Sequence, residues 1–350
     1  MADLLPSTIT GTLFGAALTL SGVYQPSTIT SQMQLQDFHM LKVFLSASSA
    51  SALVIFLYER FLQRPLTRRP PSSIGWLGPY DGNVIGGAMV GAGMTLTGAC
   101  PGTVLVQVGT GISSGRYALL GGLLGGLLYA SLTRALGRQP GASCAATTKA
   151  GENSLPEKLG INPGTATLAF QTTCVSFLVA AKYLAPGHAH AHATVDPIVG
   201  GILIGLAQLM SLVLTRAPVG VSTSYEDIGR WMWSFINGAR TATVGPAGAE
   251  SRNQKRALPL TRSVCFAGGI LASSFLVSRM VPGLVRADAL PIAPSRGVLG
   301  GLIMVFGARV AGGCTSGHGI SGMSMLGTSS ILTVASMFAA GIALAFGLAA

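Results

Sequence analysis

Apolar runs long enough to cross a membrane recur along the chain, separated by polar stretches. A helix that spans the hydrocarbon core of a bilayer needs about 20 mostly apolar residues, and the pattern offers nine candidates. These candidate spans cover residues 8–24, 38–58, 83–99, 117–136, 164–184, 196–214, 262–281, 297–313 and 327–347. Two short ones, 83–99 and 297–313, continue into glycine-rich segments that carry a cysteine, which is typical of broken or re-entrant helices near the membrane centre. The sequence therefore predicts an all-α, polytopic membrane protein.

The composition agrees with this prediction, because charged residues make up only 9% of the chain and apolar residues 49%. A soluble protein of this size needs more polar surface. The net charge of the chain is +11, and the basic residues lie in the connections between apolar runs, with few aromatic neighbours. This placement argues against a nucleic-acid-binding surface. The five cysteines form no CxxC pair, so neither a disulfide framework nor a zinc site is predicted, and no cofactor is expected.

Lysine and arginine residues are concentrated in alternate connections between the spans. The positive-inside rule then places the N-terminus in the cytoplasm and the C-terminus outside, in a multi-pass protein of the plasma membrane. Residues 137–163 and 236–261 are predicted to be cytoplasmic linkers. Fifteen of the 22 basic residues lie on the predicted cytoplasmic side: Arg60, Arg64, Arg68, Arg69, Arg134, Arg138, Lys149, Lys158, Arg216, Arg230, Arg240, Arg252, Lys255, Arg256 and Arg262.

An internal repeat divides the chain into two related halves. Residues 84–100 align with residues 298–314 without a gap, at a constant offset of 214, and the alignment matches four glycines and one cysteine. Residues 1–136 form the first predicted four-helix repeat and residues 185–350 the second. Because one extra helix, 164–184, separates them, the two copies are expected to have opposite orientations in the membrane. Inverted repeats with broken helices are typical of transporters whose substrate passage lies between the copies.

The two matched cysteines stand where the repeated helices must end. Pro101 cannot continue a helix, so the chain has to turn at Cys100, and Cys314 follows the glycines 312 and 313. A thiol is a weak and polarizable hydrogen-bonding group that suits a sulfur atom, and the N-terminal ends of half-helices favour an anion. We therefore expect a substrate site that contains Gly98, Cys100, Pro101, Gly102, Arg309, Gly313, Cys314, Thr315, Ser316 and His318.

The runs GACPGT and GARVAGGCTSGHGISGMS, which begin at Gly98 and Gly307, resemble the signatures of the YeeE/YedE sulfur-transport family. The resemblance implies an hourglass-shaped membrane protein in which thiosulfate is handed between cysteines across a central constriction. Those cysteines match Cys100 and Cys314. The family pattern also has a cysteine shortly after the first helix, where residues 21–27 of this chain contain none. Either the relay has two members, or Ser27 or Thr28 takes part.

Several polar residues admit two interpretations. Arg309 is expected to pair with an anion or to form a structural ion pair within an apolar run, and His318 to donate to the substrate or to serve as a structural histidine. Gln107 and Gln208 either line the passage or join helices. The run containing His188, His190 and His192 is interpreted as a solvated loop rather than a metal site.

Three functions are compatible with these residues. The leading hypothesis is uptake of a small inorganic sulfur anion, most specifically thiosulfate, by hand-off between the two thiols. The first alternative is a membrane sulfurtransferase that forms a cysteine persulfide. The second is a channel for sulfite, hydrogen sulfide or a selenium analogue. Besides the anion and the lipid bilayer, a soluble sulfur-accepting protein is a possible partner.

Overall fold

The computed structural model describes residues 4–63, 65–136, 154–184, 194–241, 260–281 and 291–349, and the regular elements in these ranges are helices. Each predicted span coincides with one of them. The helices are α1 (Leu4–Leu20), α2 (Pro26–Met33), α3 (His39–Leu62), α4 (Asp81–Thr97), α5 (Pro101–Thr110), α6 (Ser113–Ala135), α7 (Leu155–Leu159), α8 (Pro163–Leu184), α9 (Pro197–Thr215), α10 (Ser222–Thr241), α11 (Arg262–Met280), α12 (Pro294–Val310), a π-helix π1 (Thr315–Gly322) and α13 (Thr328–Ala349).

Within these described ranges, seven stretches of helix are long and apolar enough to cross a membrane. Six are single helices, namely α3, α6, α8, α9, α11 and α13, and the seventh combines α4 with α5. An eighth span forms if α12 and π1, which are bent by 46° at their junction, are taken together, whereas α1 is apolar but shorter. The prediction of an all-α, polytopic membrane protein is confirmed.

Helix α10 has no counterpart among the predicted spans, because the apolar pattern assigns its residues to a connection. Its sequence contains Glu226, Asp227 and Arg230 within a few residues, so no apolar run is visible there. In the structure Glu226 is nevertheless buried and Asp227 and Arg230 are half-buried, since α10 packs against α6, α11 and α12. The protein thus contains a polar helix that is held by the membrane-spanning ones.

The main helix contacts occur in exchanged pairs between the two halves of the chain. Helix α1 of the first half packs on α11 of the second, and α9 of the second half packs on α3 of the first. In the same way, α6 of the first half packs on α12 of the second, and α13 of the second half packs on α4 of the first. Helices α4 and α12, which carry the sequence repeat, pack on each other. Such exchanged partners are what a two-fold relation between the halves produces.

Glycines determine how closely α4 and α12 cross. A Cβ atom added at Gly86 would lie 2.6 Å from the carbonyl oxygen of Gly307, and one added at Gly93 would lie 2.6 Å from that of Gly300. These distances leave no room for a side chain, which is how small residues let membrane helices approach. In the repeat, Gly86 matches Gly300 and Gly93 matches Gly307. Because the early glycine of one helix meets the late glycine of the other, α4 and α12 run antiparallel.

Neighbouring glycines in α11 provide a test of this packing. A Cβ atom at Gly269 would lie 2.4 Å from the carbonyl oxygen of Thr8 in α1, whereas one at Gly268 would meet nothing within 4 Å. We expect Gly269→Ala to destabilise the protein by about 1–3 kcal/mol, because α1 has to move away. Gly268→Ala is the matched control and is expected to be neutral. Thermal unfolding of the purified variants in detergent measures both, and equal midpoints would contradict the close α1–α11 contact.

Candidate functional site

Four helix breaks converge at the centre of the protein, two from each half of the chain. Residues 21–25 separate α1 from α2, and residues 98–100 separate α4 from α5. In the second half, residues 216–221 separate α9 from α10, and residues 311–314 separate α12 from π1. Broken helices are tolerated in a membrane protein where the freed backbone groups are bound by other parts of the protein or line a cavity.

Two glutamine side chains bind the freed backbone at these breaks. The Gln107 amide nitrogen donates to the carbonyl oxygens of Tyr24 and Gly98, at 2.8 and 2.9 Å, and so joins the two breaks of the first half. The Gln208 side-chain oxygen accepts from the Val219 amide at 3.2 Å and from the Ser321 hydroxyl at 3.1 Å. Both glutamines are fully buried. Of the two interpretations open from the sequence, the structure supports a role in joining helices.

Cys100 lies at the N-terminal end of α5. Its backbone is extended, and the Thr103 amide and hydroxyl both donate to its sulfur at 3.4 Å. In return, the Cys100 amide donates to the Thr103 hydroxyl at 2.7 Å. This reciprocal capping arrangement holds the thiol over the first turn of a helix, where the partial positive charge of the helix dipole favours an anion.

Cys314 occupies the same position relative to π1. Its sulfur lies 3.2 Å from the Ser316 hydroxyl, and the backbone amides of Gly317, Val221 and Ser222 also interact with it. The Val221 amide belongs to the break between α9 and α10, and the Ser222 amide begins α10 in the same half of the chain. The side chain is buried, with 2% of its surface exposed. The two matched cysteines therefore both occupy the N-cap position of a half-helix, with polar groups close to the sulfur.

A small cavity of about 40 Å³ lies beside Cys100. Most of its lining is apolar and comes from α1, α2, α3 and α9, with Phe14 and Phe44 as the largest side chains. Its polar lining residues belong to the first turns of two half-helices: Cys100 and Thr103 at α5, and Thr315 and Ser316 at π1. Cys314 does not line this cavity. Ser316, which contacts its sulfur, does.

Tyr225 of α10 lies near both thiols. Its hydroxyl donates to the carbonyl oxygen of Pro101 at 2.7 Å, beside Cys100, and its ring lies against Gly122 of α6. It is close enough to interact electrostatically with both Cys100 and Cys314, as the two cysteines do with each other. The structure thus brings the two predicted cysteines together around a buried tyrosine, which no pattern in the sequence indicates.

The other predicted polar site residues make contacts within the protein. The His318 ring nitrogens contact the Ser330 hydroxyl at 2.9 Å and the Ala311 carbonyl oxygen at 3.1 Å. The Arg309 guanidinium pairs with Glu226, and its central carbon lies 5.7 Å from the ring centre of Tyr129. Both side chains are buried. Neither lines the cavity, and their geometry is that of structural residues beside the Cys314 turn.

The glycines and Pro101 of the predicted site shape the two turns. Gly98 has a positive φ of 58°, which favours glycine at the end of α4. Gly102 lines the cavity, and Gly313 lies between the side chains of Arg69 and His318. The lining of the cavity includes Val23 of the first break and Ile29 of α2, but not Ser27 or Thr28.

The remaining cysteines lie away from these turns or outside the described residues. Cys174 of α8 is buried and Cys265 of α11 is half-buried. Cys144 and the run containing His188, His190 and His192 lie outside the residues that the structure describes. In the described part of the chain, no group of three or more His, Cys, Asp or Glu residues could hold a metal ion.

A family model matches most of this chain, and two relatives match less than half of it. The model of a family described as Sulphur transport matches residues 9–344. A probable transporter of Xylella fastidiosa (strain 9a5c) is 29% identical over 149 residues, which are 43% of this chain and 90% of that protein. A second probable transporter, from Xylella fastidiosa (strain Temecula1 / ATCC 700964), is 28% identical over 149 residues with the same coverage. Because the family match extends over nearly the whole chain, the protein belongs to the sulphur transport family.

Proposed function

We propose that this membrane transporter takes up thiosulfate and passes it between the thiols of Cys100 and Cys314. One observation carries the proposal: both cysteines cap half-helices whose first turns provide the polar lining of a single, otherwise apolar cavity. Two helix N-termini supply partial positive charge and hydroxyl donors to an anion. The thiols add soft contacts for a sulfur atom. An apolar wall favours thiosulfate, whose terminal sulfur is weakly hydrated, over the more strongly hydrated sulfate.

The contacts between loops support the expected orientation in the membrane. Lys158 donates to the Tyr80 hydroxyl at 2.6 Å and to Thr328 at 3.3 Å. Lys158 and Tyr80 belong to connections predicted to be cytoplasmic, and Thr328 lies at the predicted cytoplasmic end of the span 327–347. The hydrogen bond from the Lys158 ammonium lowers the pKa of the Tyr80 phenol. A Cβ atom at Gly98 would lie about 3 Å from Pro26 and from Ile292, both in segments predicted to be external.

This orientation gives an order of encounter for the anion. The cavity and Cys100 face the outside, because the cavity is lined by residues near the external ends of α1 and α3. Cys314 lies closer to the cytoplasm, since the arginine of the loop between α3 and α4, Arg69, bonds the carbonyl of Gly312. Thiosulfate therefore meets Cys100 first, passes Tyr225 at the constriction, and leaves beside Cys314.

Two further observations support a duplicated and inverted architecture, with residues 1–136 and 185–350 as the repeats. The antiparallel crossing of α4 and α12 pairs matched glycines in exchanged order. The relatives from Xylella fastidiosa align over 90% of their own length with 43% of this chain, which is the relation expected between a single unit and a duplicated chain.

Transport of labelled thiosulfate into proteoliposomes containing the purified protein tests the proposal. We expect the rate of uptake to saturate as the thiosulfate concentration rises. We also expect excess unlabelled thiosulfate to inhibit uptake of the label more strongly than sulfate does. Growth of a host without other thiosulfate transporters, on thiosulfate as sole sulfur source, provides the cellular measurement. Uptake no faster than in empty liposomes would contradict the proposal.

A sulfurtransferase reaction is the alternative from another class, because the Cys314 sulfur lies beside the Ser316 hydroxyl and several backbone amides, and such polar environments activate thiols. In that case a Cys314 thiolate would attack the outer sulfur of thiosulfate, form a persulfide and release sulfite. Mass spectrometry of the intact protein after incubation with thiosulfate distinguishes the two functions. We expect no added sulfur atom under conditions that support uptake.

A further inference from the structure

The loop between α3 and α4 places a cation against the Cys314 turn. Arg69 is one of the arginines that, from the sequence, indicate only which side of the membrane is cytoplasmic. In the structure its side chain extends inward and donates to the carbonyl oxygens of Gly317, at 3.2 Å, and of Gly312. Its own carbonyl oxygen accepts from the Ser329 hydroxyl at 2.9 Å, which anchors the loop to α13.

Three glycines lie close to the guanidinium, one from each break of the second half and one from π1. A Cβ atom at Gly313 would lie 2.9 Å from one terminal nitrogen, and Cβ atoms at Gly317 and Gly220 would lie 2.8 and 3.5 Å from the other. Gly313 directly precedes Cys314, Gly317 belongs to the first turn of π1, and Gly220 directly precedes Val221, whose amide interacts with the Cys314 sulfur. The guanidinium therefore lies between the two backbone segments that hold this thiol.

We propose that Arg69, together with the backbone around Gly220, Gly313 and Gly317, forms a binding site for a small sulfur oxyanion on the face of the Cys314 turn that the cavity does not reach. This inference rests on the proposed function and extends it to the cytoplasmic mouth. The described residues that line the cavity include no charged side chain, so the anion is held there by dipoles alone. Arg69 supplies the full positive charge that the outer site lacks.

The chemistry of the guanidinium fits this role. Its planar fork of N–H donors matches two oxygens of an oxyanion, and it keeps its charge at any physiological pH. An anion that leaves Cys314 toward the cytoplasm then meets a cation that is partly exposed and already fixed by two carbonyl contacts. A site of this kind stabilises the anion after it has passed the constriction. A series of weak binding sites supports conduction through other membrane passages in the same way.

Uptake of labelled thiosulfate into inside-out membrane vesicles tests this site, because these vesicles present the cytoplasmic mouth to the medium. We expect Arg69→Gln to raise the half-saturating thiosulfate concentration about tenfold or more, the loss expected for one charged hydrogen-bonding partner. Arg69→Lys keeps the charge but loses the planar fork, and it is expected to lose clearly less apparent affinity than Arg69→Gln. Arg68→Gln is the matched control, since the neighbouring Arg68 bonds the Met325 carbonyl and pairs with Glu59.

The lysine variant separates binding from a purely structural role. If Arg69 only clamped the carbonyls of Gly312 and Gly317, Arg69→Lys would lose as much function as Arg69→Gln, and that result would overturn the inference. An unchanged half-saturating concentration in Arg69→Gln would also overturn it while leaving thiosulfate transport intact. Absence of thiosulfate uptake by the wild-type protein would instead remove the proposed function and this inference together.

A second variant keeps the test informative if Arg69→Gln does not fold. A Cβ atom at Gly220 would be in ordinary contact with the Arg69 guanidinium at 3.5 Å, so Gly220→Ala is expected to fold while it narrows the space beside the cation. We expect it to raise the half-saturating thiosulfate concentration severalfold from the cytoplasmic side. An unchanged value in this folded variant would count against the site.

Discussion

Cys314→Ala is expected to lower thiosulfate uptake about ten- to a hundredfold, and Cys100→Ala to lower it to a similar extent. Each substitution removes the thiol at the start of its half-helix while leaving the backbone amides and hydroxyls in place. The Ser316 hydroxyl and the Thr103 hydroxyl and amide then face an empty space instead of a sulfur atom. The anion loses one of its two positions on either side of the constriction, and transfer between them stops.

Two further sets of variants make this result specific. Cys174→Ala and Cys265→Ala change the same side chain in α8 and α11, away from the half-helix turns, and are expected to transport at the wild-type rate. Cys100→Ser and Cys314→Ser keep a hydrogen-bonding group of similar shape but replace the soft sulfur by a hard oxygen. We expect them to resemble the alanine variants. Initial rates of labelled uptake, normalised to protein in the membrane, measure all six, and normal transport by either alanine variant would refute the relay.

The membrane spans and both cysteine turns could be predicted from the sequence because their signals are local. An apolar run identifies a span wherever it packs, and Pro101 requires a helix break regardless of its neighbours. The repeat adds the only long-range information, since matched glycines at 86, 93, 300 and 307 predict that the same helix occurs twice. Their close crossing in the structure follows from this.

The residues around the two thiols could not be predicted, because their roles depend on contacts between distant parts of the chain. Tyr225 and Glu226 lie in a polar segment without an apolar pattern, so nothing in the sequence brings α10 into the protein. Gln107 joins two breaks that are separated by more than 70 residues along the chain. Arg69 follows three other arginines in one loop, and composition alone does not distinguish the one that folds inward.

Glu226→Ala is expected to destabilise the protein by about 3–5 kcal/mol, the typical effect of removing one partner from a buried ion pair. Glu226 pairs with Arg309 of α12 and Arg230 of its own helix, and the Glu226 and Arg309 side chains are 5% and 8% exposed. Arg230 is 39% exposed and can turn toward water, whereas Arg309 cannot. The substitution therefore leaves a full positive charge buried without its carboxylate. Unfolding in detergent, followed by circular dichroism, measures the loss.

A second ion pair in the same protein provides the control. Glu59 and Arg68 lie 3.6 Å apart with 24% and 16% of their side chains exposed, so Glu59→Ala is expected to cost about 1 kcal/mol or less.

The double variant Glu226→Leu with Arg309→Met removes both buried charges, and we expect it to recover most of the stability lost in Glu226→Ala. It is not expected to recover transport fully, because the Arg309 guanidinium also donates to the Ser222 hydroxyl at 3.4 Å, and the Ser222 amide interacts with the Cys314 sulfur. If the double variant were as unstable as Glu226→Ala, the instability would come from lost packing around α10 and not from the unpaired charge.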